Sequence, residues 1–324
     1  MHYRNLVLSF FKLSFKILEN FSSYFLSLST RKVHFDKNYL VNFFPVYLNV
    51  SAEYGIVMQG PIILEKDFTY NTLKLYKHIY PNVLILLSTW EGQSNETLSK
   101  IRDLGIIVVE NVMPVYKGIL NINLQIFSTK AGIYELKKLN VKFLLKVRTD
   151  QRNFNNIDFL SAMRNLQKTF PLNNGALKFR LIICSTNTFR SRLYGITDML
   201  MFGHIKDMEN FWCIPLELNE SRPIHYLEPS YYMKNEIGEG YLIKHFSNIL
   251  GFNFNWTIDN SLKFIVSYFC IMDKEQLGFF WLKYDRFFES IDFFRYKDHI
   301  NWERFVFSDW LNEYYKSNDV NKKL

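Results

Sequence analysis

The chain has 324 residues, 48% apolar and 22% charged, and carries 31 Phe, 20 Tyr and 6 Trp. That much buriable surface excludes an extended disordered chain, and only 13 Gly and 8 Pro exclude a collagen-like or linker protein. The net charge of +8 is uneven: residues 1–35 hold Arg4, Lys12, Lys16, Arg31 and Lys32 against Glu19, while elsewhere bases are scattered among acids, which excludes the basic stripe of a nucleic-acid binder.

Residues 1–35 read as a basic amphipathic helix followed by a linker. Leu8, Phe11, Phe15 and Leu18 lie mostly opposite Ser9, Lys12, Lys16 and Glu19. Lys12 and Lys16 break the apolar run well short of the ~20 residues that a membrane span requires. Two readings stand: adsorption to an anionic bilayer surface, or packing against the protein's own core.

From residue 54 the pattern alternates between apolar runs and helix-like stretches. Tyr54–Met58 reads as a strand that stops at Gln59-Gly60-Pro61, and Thr69–Tyr80 as a helix. Val83–Thr89 and Gly105–Val109 are further strands, separated by a polar loop and a short helix ending near Asp103. A helix over about 124–139 leads to a fourth strand, Lys142–Arg148, running into Thr149-Asp150-Gln151-Arg152. Strands apolar on both faces and alternating with helices predict an α/β fold of Rossmann type, with a mostly parallel sheet covered on both sides. Arg180–Ser185 and Asp198–Gly203 add later strands, and the aromatic tail from Phe279-Phe280-Trp281 to Trp310 reads as helices packed on the core.

Ligands of such sheets bind beyond the carboxyl ends of the strands. The polar residues there are Gln59, Gly60 and Pro61, then Thr89 and Glu91, then Glu110 and Asn111, then Asp150 and Arg152. The sequence has no GxGxxG, Walker A, GxSxG or His-rich metal signature, which argues against dehydrogenases, NTPases, serine hydrolases and zinc enzymes. Asp150 at the end of the fourth strand suits a Mg²⁺ or Mn²⁺ ion bridging a carboxylate to a nucleoside diphosphate; the bland alternative is a helix cap. Lys146, Arg148 and Arg152 are spaced to add phosphate contacts. His204, His225 and His245 have no ligand spacing. Cys184, Cys213 and Cys270 are an odd number without CxxC or Cys/His spacing, which fits a reducing cytoplasm better than a disulfide framework or structural zinc.

Taken in order, Gly55–Pro61, Ser88–Glu91, Asn121–Gln125 with Ser128-Thr129, Lys146–Arg152, Asn187–Phe189 and Tyr194–Gly203 resemble the WavE lipopolysaccharide synthesis family. The resemblance covers about 54–285. It implies a GT-A-like domain over 36–285, with a nucleotide-binding half at about 54–155 and an acceptor half at about 155–285, and a helical C-terminal segment over 286–324. It also implies a glycosyltransferase that moves sugar from a nucleotide-sugar donor to a lipopolysaccharide or capsular acceptor, saccharide or lipid-linked. Such an enzyme would be cytoplasmic, with a possible surface contact on the inner membrane. A non-catalytic assembly component and a sugar nucleotidyltransferase are the alternatives.

On this resemblance Gln59, Gly60, Pro61, Thr89 and Glu91 line the nucleotide. Asn121, Asn123 and Gln125 approach the donor sugar, with capping as the alternative for the asparagines. Arg148 and Arg152 contact phosphate or sugar, and Asp150 anchors the divalent cation or the diphosphate. A single Asp in Thr149-Asp150-Gln151-Arg152 departs from the two-carboxylate DxD of many GT-A enzymes. The catalytic base is sought among Glu239, Asp198 and Glu228, in that order, each alternatively a cap or an ion-pair partner.

Overall fold

The computed structural model describes residues 44–155, 157–172, 175–218, 230–282 and 304–321. The expected basic helix of residues 1–35, His225 and Glu228 lie outside the described residues.

The sequence-predicted strands form, and they form one sheet. Seven strands, β1 (Tyr54–Gln59), β2 (Leu84–Trp90), β3 (Ile107–Asn111), β4 (Phe143–Arg148), β6 (Leu181–Cys184), β7 (Met201–His204) and β8 (Phe269–Met272), run in the order β3-β2-β1-β4-β7-β6-β8. The β3-β2-β1-β4 half is parallel throughout, whereas β7 is antiparallel to both β4 and β6. β8 returns parallel to β6. The mostly parallel α/β sheet of the sequence reading is therefore the sheet observed.

Helices α1 (Phe68–Ile79), α2 (Asn95–Arg102), α3 (Ile122–Lys138), α4 (Phe159–Thr169), α5 (Ile205–Trp212), α6 (Glu239–Leu250), α7 (Ile258–Tyr268) and α8 (Phe307–Asn321) surround the sheet. Side chains alternate along a strand, so Val57 on β1 faces α3, where Gly132 sits against it, while Ile56 and Met58 face the other way. All three are fully buried, so both faces of β1 are covered. On the second face Tyr76 of α1 meets Phe159 of α4 edge to face, with ring centroids 5.8 Å apart.

Register brings the strand ends level. Gln59 pairs with Ser88 on one side and Arg148 on the other. Past it, the Gly60 N–H donates to Ser88 O and the Thr149 N–H to Gln59 O, both at 3.0 Å. Gly60 itself has φ of +126°, and a Cβ there would lie 2.6 Å from Thr149 Oγ1, so glycine is required where β1 turns away.

One part of the C-terminal reading changes. Phe279-Phe280-Trp281, expected as helix, is a strand (β9, Phe279–Trp281) paired antiparallel with β5 (Gln151–Asn153) in a separate two-stranded sheet. Three adjacent aromatics suit a pleated, half-buried surface as well as a helix face, and the partner strand decided between them. Trp310 does sit on a helix packed on the core: its buried indole donates to Phe269 O at 2.8 Å and fastens α8 onto β8.

The contact between α3 and the sheet yields a prediction. A Cβ on Gly132 would lie 2.6 and 2.9 Å from the two γ-carbons of Val57. Alanine gains about 1 kcal/mol of helix propensity over glycine, but overpacking costs about 1–3 kcal/mol. Gly132→Ala should therefore destabilise the protein in urea unfolding, and Val57→Ala in the same chain should restore part of the loss. A stabilised single variant would contradict the close approach.

Candidate active site

Lys146 and Arg148 stand two residues apart on β4 and so point to the same face, the one that carries Gln59. Lys146 is fully buried. Its Nζ donates to Gln125 Oε1 on α3 at 3.0 Å and to the backbone carbonyl of Asp198, and lies 4.5 Å from the Trp212 ring centre on α5. Burial pulls the ammonium down to about 7, against the attraction of Asp198, and the Arg148 charge adds to the fall.

Arg148 reaches the mouth of the cluster. Its Nε and Nη2 grip Asp150 Oδ1 and Oδ2, each at 3.0 Å, and the Trp281 indole donates to Oδ2 at 2.9 Å. Trp281 arrives there because β9 pairs Gln151 with Trp281 and the Leu282 N–H donates to Asp150 O. Burial pushes the Asp150 carboxyl up, but the Arg148 charge and the N–H donors outweigh it and hold the group below the ordinary aspartate value.

Two of the three candidate bases join this cluster. Asp198 is buried in the loop before β7, and Gln125 Nε2 donates to its carboxylate. Glu239 opens α6, where a negative side chain suits the helix N-terminus. Burial pushes Glu239 up, the charge of Asp198 adds to the rise, and Arg192 and Arg148 oppose it. Two guanidinium groups (Arg148, Arg192) and the Lys146 amine thus face three carboxyl groups (Asp150, Asp198, Glu239) at the carboxyl edge of β4.

Gln59 and Gln125 extend the network to β1: Ser128 Oγ donates to Gln59 Oε1 at 2.9 Å, and Gln59 Nε2 to Gln125 Oε1 at 3.4 Å. Gly60 and Pro61 continue that rim, Pro61 exposed. Glu91 and Asn121 are exposed beyond β2 and before α3.

Three expected donor contacts are placed otherwise. Arg152 is fully buried under α1, donating to Thr72 Oγ1 at 2.8 Å and Phe68 O at 3.1 Å, with its guanidinium 4.4 Å from the Phe68 ring centre. The turn at Thr149-Asp150 breaks the alternation of β4 and sends Arg152 to the opposite face from Arg148. Asn123 is a clamp: its amide donates to Tyr116 O and Glu217 O and accepts from the Glu217 N–H, tying the start of α3 to the segment after α5. Thr89 is fully buried, and its neighbour Ser88 takes the Gln59 face. The reading missed Arg192 and Trp281. Arg192 lies just before the Tyr194–Gly203 stretch; Trp281 is 131 residues from Asp150, and nothing in its local sequence marks it.

A family model described as WavE lipopolysaccharide synthesis matches residues 54–247. The chain belongs to that family. The WavE match runs from β1 into α6 and contains every member of the cluster except Trp281. Among curated proteins none matches the chain. Solved structures with a distant likeness include a cytidylyltransferase from Leptospira borgpetersenii, 18% identical over 78% of this chain and 98% of that one, with a TM-score of 0.34. A putative glucose-1-phosphate thymidylyltransferase from Bacillus anthracis is 10% identical over 68% and 86%, with a TM-score of 0.33. Core-mannan synthase A from Aspergillus fumigatus, in its Mn/GDP form, is 8% identical over 78% of its length and 74% of this chain, with a TM-score of 0.30. Likenesses this distant carry no argument about the site.

The expectation of a divalent cation on Asp150 meets a difficulty in the donor set. Both carboxylate oxygens already accept N–H donors, two of them from a cation, so this arrangement does not fit a metal ion without displacing Arg148. Among the described residues no group of three or more His, Cys, Asp or Glu side chains is placed to hold one.

Lys146 makes the cluster testable by pH. Its value of about 7 in the fold compares with about 10.4 unfolded. Between these values unfolding takes up a proton, so stability rises with pH by up to about 1.4 kcal/mol per unit. Lys146→Met removes that contribution. Measured against the wild type by urea unfolding, the variant should stand best at pH 7 and lose ground steadily to pH 9. Parallel pH profiles would mean that the ammonium is not desolvated.

Proposed function

We propose that this WavE protein is a glycosyltransferase that moves a sugar from a nucleotide-sugar donor to a growing lipopolysaccharide saccharide or lipid-linked acceptor. The observation that carries the reading is the cluster at the carboxyl edge of β1 and β4: Glu239, pushed up by burial and by Asp198, in the same cluster as Arg148, whose guanidinium is held by Asp150. Gln59, Gly60 and Pro61 are the nucleotide rim of that edge, where open α/β sheets receive their ligands. Glu91 and Asn121 stand at its margin.

In this reading the acceptor hydroxyl attacks the anomeric carbon while Glu239 takes its proton. The bond from that carbon to the diphosphate oxygen breaks, and its electron pair leaves on the nucleoside diphosphate, whose charge faces Arg148. Asp198 acts on Glu239 rather than on substrate: its carboxylate is held by Gln125, its carbonyl by Lys146, and its charge keeps Glu239 basic. A sugar nucleotidyltransferase would instead use a Gly-rich loop with Arg after its first strand, and Gln59-Gly60-Pro61-Ile62 is not that. A lipid-linked acceptor would bring the enzyme to the cytoplasmic face of the inner membrane, with residues 1–35 as the contact. Among the described residues no helix is long and apolar enough to cross a membrane.

Glu239→Gln should lower transfer by about 10²–10⁴, the usual contribution of a general base, and leave nucleotide binding unchanged. In the wild type, the acid limb of kcat/KM should lie above the ~4.3 of an ordinary glutamate, because the base works only when deprotonated and its folded pKa is raised. Incubation of donor and acceptor followed by product analysis checks both, since a glycosyltransferase releases nucleoside diphosphate. Release of pyrophosphate from a nucleoside triphosphate and a sugar phosphate would overturn the reading in favour of the nucleotidyltransferase.

A further inference from the structure

Asp150 ends the fourth strand, where a carboxylate suits a cation, yet a cation from the protein already occupies it. A carboxylate offers about four lone-pair sites. Arg148 Nε and Nη2, Trp281 Nε1 and the Asp150 backbone N–H all address this one. A divalent ion would have to remove at least one of these donors and then sit against a guanidinium of like charge. The Trp281 ring adds to the hold, its centre 5.6 Å from the Arg148 Cζ.

Arg148 is aimed as well as held. It leaves β4 in register with Gln59 and on the same face, beside the strand end that runs into the Gln59-Gly60-Pro61 turn. Two of its five N–H donors are turned to Asp150, and 23% of the side chain remains exposed. A planar fork braced on one edge and open on another is the form that binds phosphate oxygens with least loss of side-chain freedom.

We propose that Arg148 itself receives the donor diphosphate, with Asp150 and Trp281 as positioning residues that brace its guanidinium, so that nucleotide binding by this protein requires no divalent cation. The proposal rests on the transferase reading above, because it takes a nucleoside diphosphate as the ligand of this edge. It assigns a role to Trp281, outside the family match, and it gives Asp150 the task of holding an arginine instead of a metal.

Isothermal titration of the full chain with UDP, GDP, CDP and dTDP, in EDTA and in Mn²⁺, tests it. The expected result is one preferred nucleotide whose Kd is the same in both buffers within about threefold. Arg148→Lys, which keeps the charge and loses the fork, should weaken binding at least about tenfold, the scale of a hydrogen bond to a charged group. Trp281→Phe keeps the ring and loses only the N–H to Asp150; it should weaken binding several-fold in both buffers while the melting curve shows an intact fold. Binding that appears only with Mn²⁺ would overturn the proposal. So would an Arg148→Met variant that binds the preferred nucleotide in EDTA as tightly as the wild type. No binding of any nucleotide in either buffer would overturn the transferase reading itself, and the proposal with it.

Discussion

The architecture depends on how two cations are accommodated on the central strand β4. Lys146 is fully buried between α3 and α5, and Arg148 follows it on the same face. An isolated charge in such a place costs several kcal/mol, and the cost is met only by partners with good geometry. The chain supplies them from far apart in sequence: Gln125 from α3, Asp198 from the loop before β7, Asp150 from the end of β4, and Glu239 from the start of α6. These partners meet at one sheet edge. The same hydrogen bonds that satisfy Lys146 fix the backbone of Asp198 and, through Gln125, its carboxylate.

A cluster of opposed charges of this kind has chemical consequences because its members are not equivalent. Lys146 and Asp198 are enclosed and held by protein partners, so they set the geometry. Arg148 and Glu239 lie nearer the opening, and each is tuned by its surroundings: Arg148 by Asp150 above the other carboxylates, Glu239 by burial and by Asp198. In the proposed reading, the raised carboxylate serves as base for the incoming hydroxyl and the braced guanidinium as positive receptor for the departing diphosphate. Membership of the WavE lipopolysaccharide synthesis family gives that chemistry its biological direction.

The parallel half of the fold was legible in the sequence because a strand buried on both faces is nearly all apolar, as in Val83–Thr89, and the polar residue after each such run marks the ligand edge. Asp150 and Gln59 stand at such strand ends, Arg148 follows from its spacing on the fourth strand, and Glu239 comes from the search for a base; the structure brings the four to one edge. What failed was facing. Arg152 lies only four residues after Arg148, but the turn at Thr149-Asp150 carries it across the sheet, and alternation cannot be counted through a turn. Asn123 looked like a donor contact or a cap, while its partner, the backbone of Glu217, is a tertiary contact that no local pattern shows. Trp281 was hidden for the same reason. Its aromatic run fits helix or strand, and only pairing with β5 sets its indole beside Asp150.

Arg148, braced by Asp150 and Trp281 at the β1–β4 edge, is thus the receptor for the donor diphosphate in the proposed reaction. A crystal structure of the protein with its preferred nucleoside diphosphate and Mn²⁺ tests this most directly. The account predicts phosphate oxygens within hydrogen-bond distance of the Arg148 guanidinium, with the Arg148–Asp150 fork intact. Diphosphate bound away from the β1–β4 edge, or bridged by a metal ion to an Asp150 carboxylate from which Arg148 has withdrawn, would contradict it.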